Sequence, residues 1–546
     1  MERIDYRTWS SSKTAKSKLN PKIFAAKTVG ELFSLASRIW PKKPYLIFAP
    51  TGEQFSYFEF HLHSMKFGEA LRNLGLQKGD RLALFMKNSP DYLACIFACA
   101  KLGAVEVPVN WYYKEKELQY ILSNSGSKIL ICDDDLLQTA EKVKDSVATL
   151  KTIVPTSELR MKAEKTTGRL RGVRVSPKDP FAIIYTSGTT GMPKGAVLSH
   201  HSYVLSAKAI ALWPVEDMES DYTCLPLFHI NAQIYSSLGM MVAGKTLILS
   251  DRFSPQRFWE EIRKYKATAF NALGSLMQLL YSIPPSPSDK DHSAKYVIVG
   301  GTPKELWENF ENRFGVTVLE GYSQTEDPLP FLNYPFKEGR VVGSFGIPAF
   351  WDLGHEAKVI GEDGKEVKPG EKGELIRKSP CTMLGYWKDE EKTRETVVNG
   401  WLHSGDIVTR DENGFTFFVE RKKFIIRRSG ENIAAWEVEA VIKTHPAVKD
   451  CAVIPVPDPI RGEEVKAIIL PNEKAKKIDP REIVRHVGKE LAYFKVPRFI
   501  EIVSSLPYTP TGRVKKHELI AKERELKDHG WDRDKEYPTW REDIKK

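Results

Sequence analysis

At 546 residues and 62.0 kDa the chain is too long for one ordinary hydrophobic core, so two or more domains are expected. Its 42% hydrophobic and 28% charged residues are those of a globular protein in water, and no uncharged apolar run approaches the ~20 residues of a membrane-spanning helix. The net charge of +10 arises from 81 basic and 71 acidic residues mixed along the chain, which suits small anionic ligands as well as a solvated surface and does not call for nucleic acid.

The first residues, Met1-Glu-Arg-Ile-Asp-Tyr, lack the apolar core of a signal peptide, and the Ser- and Lys-rich residues 10–28 read as a frayed or surface-wrapping arm, with a weak targeting peptide as the alternative. From about residue 29 to 150, helices and strands alternate. Residues 28–38 and 60–74 read as amphipathic helices, the second ended by Gly75. Residues 81–86, 105–109 and 128–132 read as strands, with an apolar helix over 91–102 stopped at Gly103. Strand, helix, strand at short intervals implies right-handed crossovers and a largely parallel sheet. Cys95 and Cys99 fall on one face of that apolar helix, where they pack rather than bind metal; six scattered cysteines fit a reducing compartment such as the cytoplasm.

Residues 181–185 form an apolar run of strand length, and Thr186-Ser-Gly-Thr-Thr-Gly-Met-Pro-Lys-Gly195 follows it. Glycines let a backbone turn tightly and approach a ligand, and successive N–H groups there form an anion nest. The hydroxyls of Thr186, Ser187, Thr189 and Thr190 add donors, and Lys194 adds a mobile positive charge. The loop therefore reads as a phosphate cradle; the alternative is a polar surface turn between strands. It is not a P-loop of the NTPase type, because Lys194 precedes Gly195 rather than the Ser or Thr that meets the metal.

Beyond the loop, residues 222–227, 246–249, 267–271 and 296–299 are further apolar runs of strand length, with a helix over 255–265. Around residues 341–420 short β segments and Gly turns suggest an antiparallel or barrel-like subdomain, and from Glu437 a helix, two strands, a helix and a strand suit a small α+β domain. The fold class is therefore α/β: a large N-terminal domain of mixed or parallel sheets with helices and a β-barrel-like subdomain, then a small mobile α+β domain.

Several stretches then fit one pattern. Asp221-Tyr-Thr-Cys-Leu-Pro-Leu-Phe-His-Ile-Asn-Ala-Gln233 ends a strand with an aromatic and a histidine, and Gly300-Gly-Thr-Pro303 and Leu319-Glu-Gly-Tyr-Ser-Gln-Thr-Glu326 end two more. Gly385-Tyr-Trp, Gly400-Trp-Leu-His-Ser-Gly-Asp406, Arg421-Lys-Lys423, Ser429-Gly-Glu-Asn-Ile433 and Leu506-Pro-Tyr-Thr-Pro-Thr-Gly-Arg-Val514 follow. In order and spacing, from about Phe55 to Leu519, the chain resembles the adenylate-forming superfamily of acyl-CoA synthetases, firefly luciferase and peptide-synthetase adenylation domains. Within it, the His229 motif and Arg428-Ser-Gly-Glu-Asn-Ile433 look most like acyl-CoA ligases of the crotonobetaine/carnitine-CoA ligase type.

The resemblance implies that a carboxylic acid, fatty or otherwise, attacks the α-phosphate of ATP to give an acyl-adenylate and pyrophosphate, after which coenzyme A displaces AMP. It implies a large domain over residues 1–422 and a small one over 423–546, hinged at Lys423, in a monomer or homodimer. On the ATP side it points to Thr186, Ser187, Gly188, Thr189, Thr190, Gly191 and Lys194 for the phosphates. Gly300, Gly301 and Thr302 form one wall of the adenine slot, Glu320, Gly321 and Tyr322 the other, with Ser323 and Thr325 beside them. Asp406 and Arg421 are carried over to the ribose and phosphates. Glu326, a hard carboxylate beside a hydroxyl cluster, is the Mg²⁺ ligand that the resemblance implies, with Thr186 joining it around the metal. His229 matches a gate beside the acyl pocket. Ser429, Gly430 and Glu431 match the pantetheine tunnel, and Arg427 and Arg428 are candidates for the phosphates of coenzyme A.

One position departs from the pattern. Gly512-Arg513 stands where the family usually has Gly-Lys, and that lysine bridges carboxylate and α-phosphate; Arg keeps the charge with a planar, forked geometry. Either Arg513 does the work, or Lys515 or Lys516 reaches in. The departure leaves open two alternatives: an adenylating enzyme with a non-CoA acceptor or luciferase-like chemistry, and a nucleotide-binding scaffold without catalysis. No carrier domain is read after Leu519, and the identity of the acid is not legible.

Overall fold

The computed structural model describes residues 5–186, 192–421, 425–472, 478–508, 514–526 and 528–544. Among these residues four sheets form. One runs, edge to edge, through Ile347–Pro348, Asp327–Leu332, Thr317–Gln324, Tyr296–Gly300, Ala269–Leu273, Ser220–Thr223, Thr246–Leu249, Pro44–Phe48 and Glu53–Ser56; its strands from Thr317–Gln324 to Pro44–Phe48 are parallel. The second runs through Gly385–Tyr386, Lys194–Ser199, Pro180–Thr186, Val105–Pro108, Arg81–Phe85, Ile129–Cys132 and Thr152–Pro155, parallel beyond the antiparallel hairpin of its second and third strands.

The second sheet is covered on both faces, as parallel sheets require. Leu82, Leu84, Ile129 and Ile131 turn to the main core, which both large sheets share with helices Val29–Ile39, Tyr57–Asn73, Pro90–Leu102 and His200–Lys208. Their strand neighbours Ala83, Phe85, Leu130 and Cys132 pack on the opposite side with Leu118, Ile121 and Val143. Helix boundaries follow local chemistry. Ser56 and Glu59 close a reciprocal capping box that starts a helix three residues before the expected Phe60, and Gly103, at φ +65°, ends Pro90–Leu102. Cys95 and Cys99 are fully buried in this core.

Residues 356–421 carry the antiparallel strands Glu356–Ile360, Gly373–Lys378, Val397–Val398, Trp401–Arg410 and Thr416–Arg421. A separate core, from Ile426 to Ile544, lies under a sheet built on Val448–Asp458 and Gly462–Pro471, with helices Ala435–Ile442 and Pro480–Glu490. The arm folds as three short helices, Tyr6–Trp9, Ser12–Lys18 and Pro21–Ala25. Tyr6 donates to Gly339 O at 2.9 Å, Trp9 Nε1 to Leu212 O at 2.9 Å, and the Ser12 amide to Asp352 at 2.7 Å. None of the described helices is long and apolar enough to cross a membrane.

The second core docks on the first through a buried ionic triad. Lys495 Nζ lies 2.6 Å from Glu117 and 2.8 Å from Glu437, with its side chain only 4% exposed. Burial alone would pull the lysine down, but the two carboxylates hold it above its ordinary value and so charged. Tyr112 and Tyr493 meet beside it, edge to face, at 5.0 Å. Lys495→Met leaves two carboxylates facing one another without a cation, which costs about 3–5 kcal/mol. Thermal unfolding should show the loss, and adding Glu117→Gln should recover part of it.

Candidate active site

A cavity of about 1040 Å³ opens where the parallel strands of the first sheet end and the second core docks. Thr186 and Lys194 reach it from the two sides of the Pro180–Thr186/Lys194–Ser199 hairpin. Ser187, Gly188, Thr189, Thr190 and Gly191 lie outside the described residues. Glu326 sits in the turn between Thr317–Gln324 and Asp327–Leu332 and accepts from Thr186 Oγ1 at 3.4 Å and from the Tyr386 hydroxyl at 2.8 Å. Lys194 Nζ stands 5.5 Å above the Tyr386 ring. Tyr386 thus gathers the lysine, the hydroxyl and the carboxylate; the Gly385-Tyr-Trp stretch carried no role for it in sequence. Among the described residues no cluster of three or more His, Cys, Asp or Glu side chains is placed to hold a metal. One carboxylate and one hydroxyl suit a hard cation whose remaining ligands are phosphate oxygens and water.

Gly300, Gly301 and Thr302 form the wall opposite Gly321 and Tyr322, and all five line the cavity, as do Ser323 and Thr325. Glu320 stitches the walls together. It accepts from the amides of Gly301 at 2.7 Å and Thr302 at 3.1 Å and from the Thr302 hydroxyl, and full burial pushes its carboxyl up to about 7. Gly274, which sequence reasoning missed, lets the next strand approach: a Cβ there would sit 2.0 Å from Gly301 O. The Tyr322 ring stacks on Phe345 at 4.4 Å and its hydroxyl donates to Asp406 Oδ2 at 2.6 Å.

Asp406 occupies a different place from the one expected of an open ribose acceptor. It is fully buried behind Tyr322 and does not line the cavity, while its neighbours Ser404 and Gly405 do. Gln324 Nε2 also donates to Oδ2, at 3.2 Å, and Oδ1 faces the Arg427 guanidinium at 4.0 Å. Arg421 pairs with Asp406 through the strand register. Arg428 is corrected outright. Its guanidinium is buried on Glu464 at 2.7 Å, so it does not meet a phosphate of coenzyme A here; Arg427 lines the cavity over the Phe418 ring.

Elsewhere in the cavity wall, His229 caps a tight turn, with its amide on Pro226 O at 3.1 Å, and the π-helix Asn231–Leu238 starts two residues later. Such helices are rare and are frequent at functional sites. His229, Asn231, Tyr235 and Leu273 line the cavity. The hairpin Ile425–Arg428/Glu431–Ala434 reaches in from the second core. Its turn places Gly430, at φ +91°, where a Cβ would lie 2.4 Å from Leu273 Cδ1. Ser429, also in the left-handed region at φ +52°, precedes it. Glu431 Oε2 lies 3.7 Å from His229 Nε2 and accepts from Asn110 at 3.3 Å. Lys515 and Lys516 are engaged elsewhere, on Glu518 at 2.8 Å and Glu439 at 2.7 Å. Lys423 and Arg513 lie outside the described residues.

Residues 33–387 match the model of the AMP-binding enzyme family, and residues 437–513 match that of the AMP-binding enzyme C-terminal domain. A crotonobetaine/carnitine–CoA ligase of Citrobacter koseri is 30% identical over 91% of this chain and 99% of its own length. A feruloyl-CoA synthase of an Amycolatopsis species is 33% identical over 86% of this chain and 94% of its own. Among solved structures, an o-succinylbenzoate CoA synthetase of Bacillus subtilis superposes with a TM-score of 0.78 at 25% identity, covering 90% of this chain and 97% of that one.

Proposed function

We propose, from the premise that this chain belongs to the AMP-binding enzyme family, that it joins a carboxylic acid to coenzyme A at the expense of ATP, through an acyl-adenylate, releasing AMP and pyrophosphate. The observation that carries this reading is one cavity with two chemistries. Thr186, Lys194 and Glu326 line it together, and the Gly430 turn enters it beside His229.

In the first half-reaction the acid's oxygen attacks the α-phosphate and the bond to pyrophosphate breaks. Charge grows on the departing phosphates, and Lys194 with the hydroxyls of the 186–190 stretch would stabilise it. A magnesium ion, held by Glu326 and Thr186, would neutralise phosphate charge when bound. Glu320 holds Gly301 and Thr302 as one adenine wall, and Tyr322 forms the other. Ribose contact by Asp406 would require its buried carboxylate, held behind Tyr322 and Gln324, to be uncovered. In the second half-reaction the thiolate of coenzyme A attacks the acyl carbon and AMP leaves. Gly430, Ser429 and Glu431 would form the mouth through which the pantetheine arm enters.

We assign the large domain to residues 1–422 and the small one to 423–546, with Lys423 as hinge, because the hydrophobic core changes between Leu402 and Ile426. Arg513 is the group proposed to travel to the α-phosphate, because Lys515 and Lys516 already hold carboxylates of their own domain. Arg513→Ala should cut pyrophosphate release by about 10²-fold or more. Lys515→Ala and Lys516→Ala should stay near the parent rate; loss in either, with Arg513→Ala active, reverses the assignment. The function itself is tested by incubating the protein with ATP, Mg²⁺, coenzyme A and a panel of fatty, branched, aromatic and betaine-like acids. AMP with an acyl thioester supports the ligase. ADP, or binding of ATP without turnover of any acid, refutes it.

A further inference from the structure

The three residues ahead of Phe228-His229 are held by two buried amides. Asn88 donates to Leu225 O at 2.9 Å and accepts from the Leu227 amide at 2.8 Å. Gln233 Nε2 donates to Leu227 O at 2.7 Å. That bond fixes the orientation of the Gln233 amide, because a carbonyl only accepts, and leaves Gln233 Oε1 needing a donor. The Tyr203 hydroxyl supplies it at 2.7 Å. The same hydroxyl oxygen lies 3.2 Å from Glu106 Oε1. A phenol has one proton. With that proton committed to Gln233, Tyr203 can only accept from Glu106, so the carboxyl must carry a proton of its own. We infer that protonated Glu106 is a positioning residue for the turn that presents His229 to the acyl site, acting through Tyr203 and Gln233. This rests on the ligase reading above for the role of that turn.

The surroundings of Glu106 agree. In the sheet it sits between Leu82 and Ala182. From helix Pro90–Leu102 it is faced by Tyr92, Cys95 and Cys99, and from helix His200–Lys208 by Tyr203; burial holds all four well above their ordinary values, hence neutral. Among the described residues no cation pairs with it, and its Oε2 has no hydrogen-bond partner, which a neutral acid tolerates far better than a carboxylate. Burial pushes its carboxyl up to about 8. Above that pH the carboxylate takes the Tyr203 proton as its own hydrogen bond, Gln233 Oε1 loses its donor, and the turn at residues 225–229 loosens. The linkage has a definite sign. Between the ordinary carboxylate range and about 8 the folded chain holds a proton that the unfolded chain has lost, so stability falls as pH rises through that window and is flat above it.

The test compares the parent with Glu106→Gln, whose amide donates to Tyr203 at every pH, and Tyr203→Phe, which leaves Gln233 without a donor at every pH. For the parent, KM for the acid should rise roughly fivefold to tenfold between pH 7 and pH 9.5, with KM for ATP unmoved. Glu106→Gln should lack that rise, and Tyr203→Phe should show the high KM already at pH 7. Backbone hydrogen exchange of residues 225–233, corrected for the intrinsic pH dependence, should accelerate above pH 8 in the parent and not in Glu106→Gln. The exchange measurement needs no substrate. An exchange change without ligase turnover sinks the ligase reading and leaves the proton chain standing. An unchanged alkaline rise in Glu106→Gln, or parent-like exchange and KM in Tyr203→Phe, overturns the inference.

Discussion

Glu326→Gln should lower pyrophosphate release by about 10²- to 10³-fold, the largest single loss expected in the large domain. The amide is nearly isosteric and still accepts from Thr186 and Tyr386, which now meet Glu326 at 3.4 and 2.8 Å, so local structure should survive. What disappears is the negative charge proposed to face the phosphates and their cation. Two signatures separate this from general damage. The concentration of Mg²⁺ needed for half-maximal rate should rise, and KM for the acid should not, because the acid is proposed to sit against the cavity-lining His229, Asn231 and Leu273. A variant within threefold of the parent at every magnesium concentration would mean that this carboxylate serves the turn alone. Tyr386→Phe offers a graded comparison. It removes one hydrogen bond to Glu326 and keeps the ring beneath Lys194, so a loss nearer tenfold is expected.

Gly430→Val should divide the reaction in two. The residue sits at φ +91°, where a β-branched side chain is strained, and its Cβ would fall 2.4 Å from Leu273 Cδ1. The hairpin turn must then withdraw, taking with it Glu431 and its bridge to His229 and Asn110. Transfer to coenzyme A should slow by about 10²-fold or more, since displacements near 1 Å suffice for that. Formation of the adenylate, read as pyrophosphate release in a single turnover without coenzyme A, should stay within a few fold of the parent, because the turn meets Leu273, His229 and Asn110 while that step is proposed to rest on Thr186, Lys194 and Glu326. Equal loss in both steps would show that the turn supports the whole cavity rather than the second step.

The large features were legible because their signals are local. The apolar run at 181–185 lies in the strand Pro180–Thr186, and Thr186 Oγ1 lies 3.4 Å from Glu326. Signals that depend on what covers a surface were not legible. Residues 105–109 read as a strand, but only pairing of Glu106 with Leu82 and Ala182 in a sheet covered on both faces puts its carboxyl inside. The run at 222–227 read as a strand, but pairing ends at Thr223, where Asn88 from another element captures the chain. Arg428 looked like a phosphate ligand until its strand brought Glu464 beside it. Lys194–Ser199 forms the return strand of the hairpin, a partner that its own composition did not announce.

The N-terminal arm has a consequence for how the molecule is made. Tyr6, Trp9 and Ser12 are synthesised first, yet their partners Gly339, Leu212 and Asp352 follow 333, 203 and 340 residues later. At ~5–20 residues per second on the ribosome the arm waits tens of seconds or more with its tryptophan and its short helices unsupported. Helices of four to seven residues do not persist alone. The arm must therefore dock late, onto segments up to Asp352 that already hold their shape, and burial of Trp9 would report that docking rather than the beginning of folding.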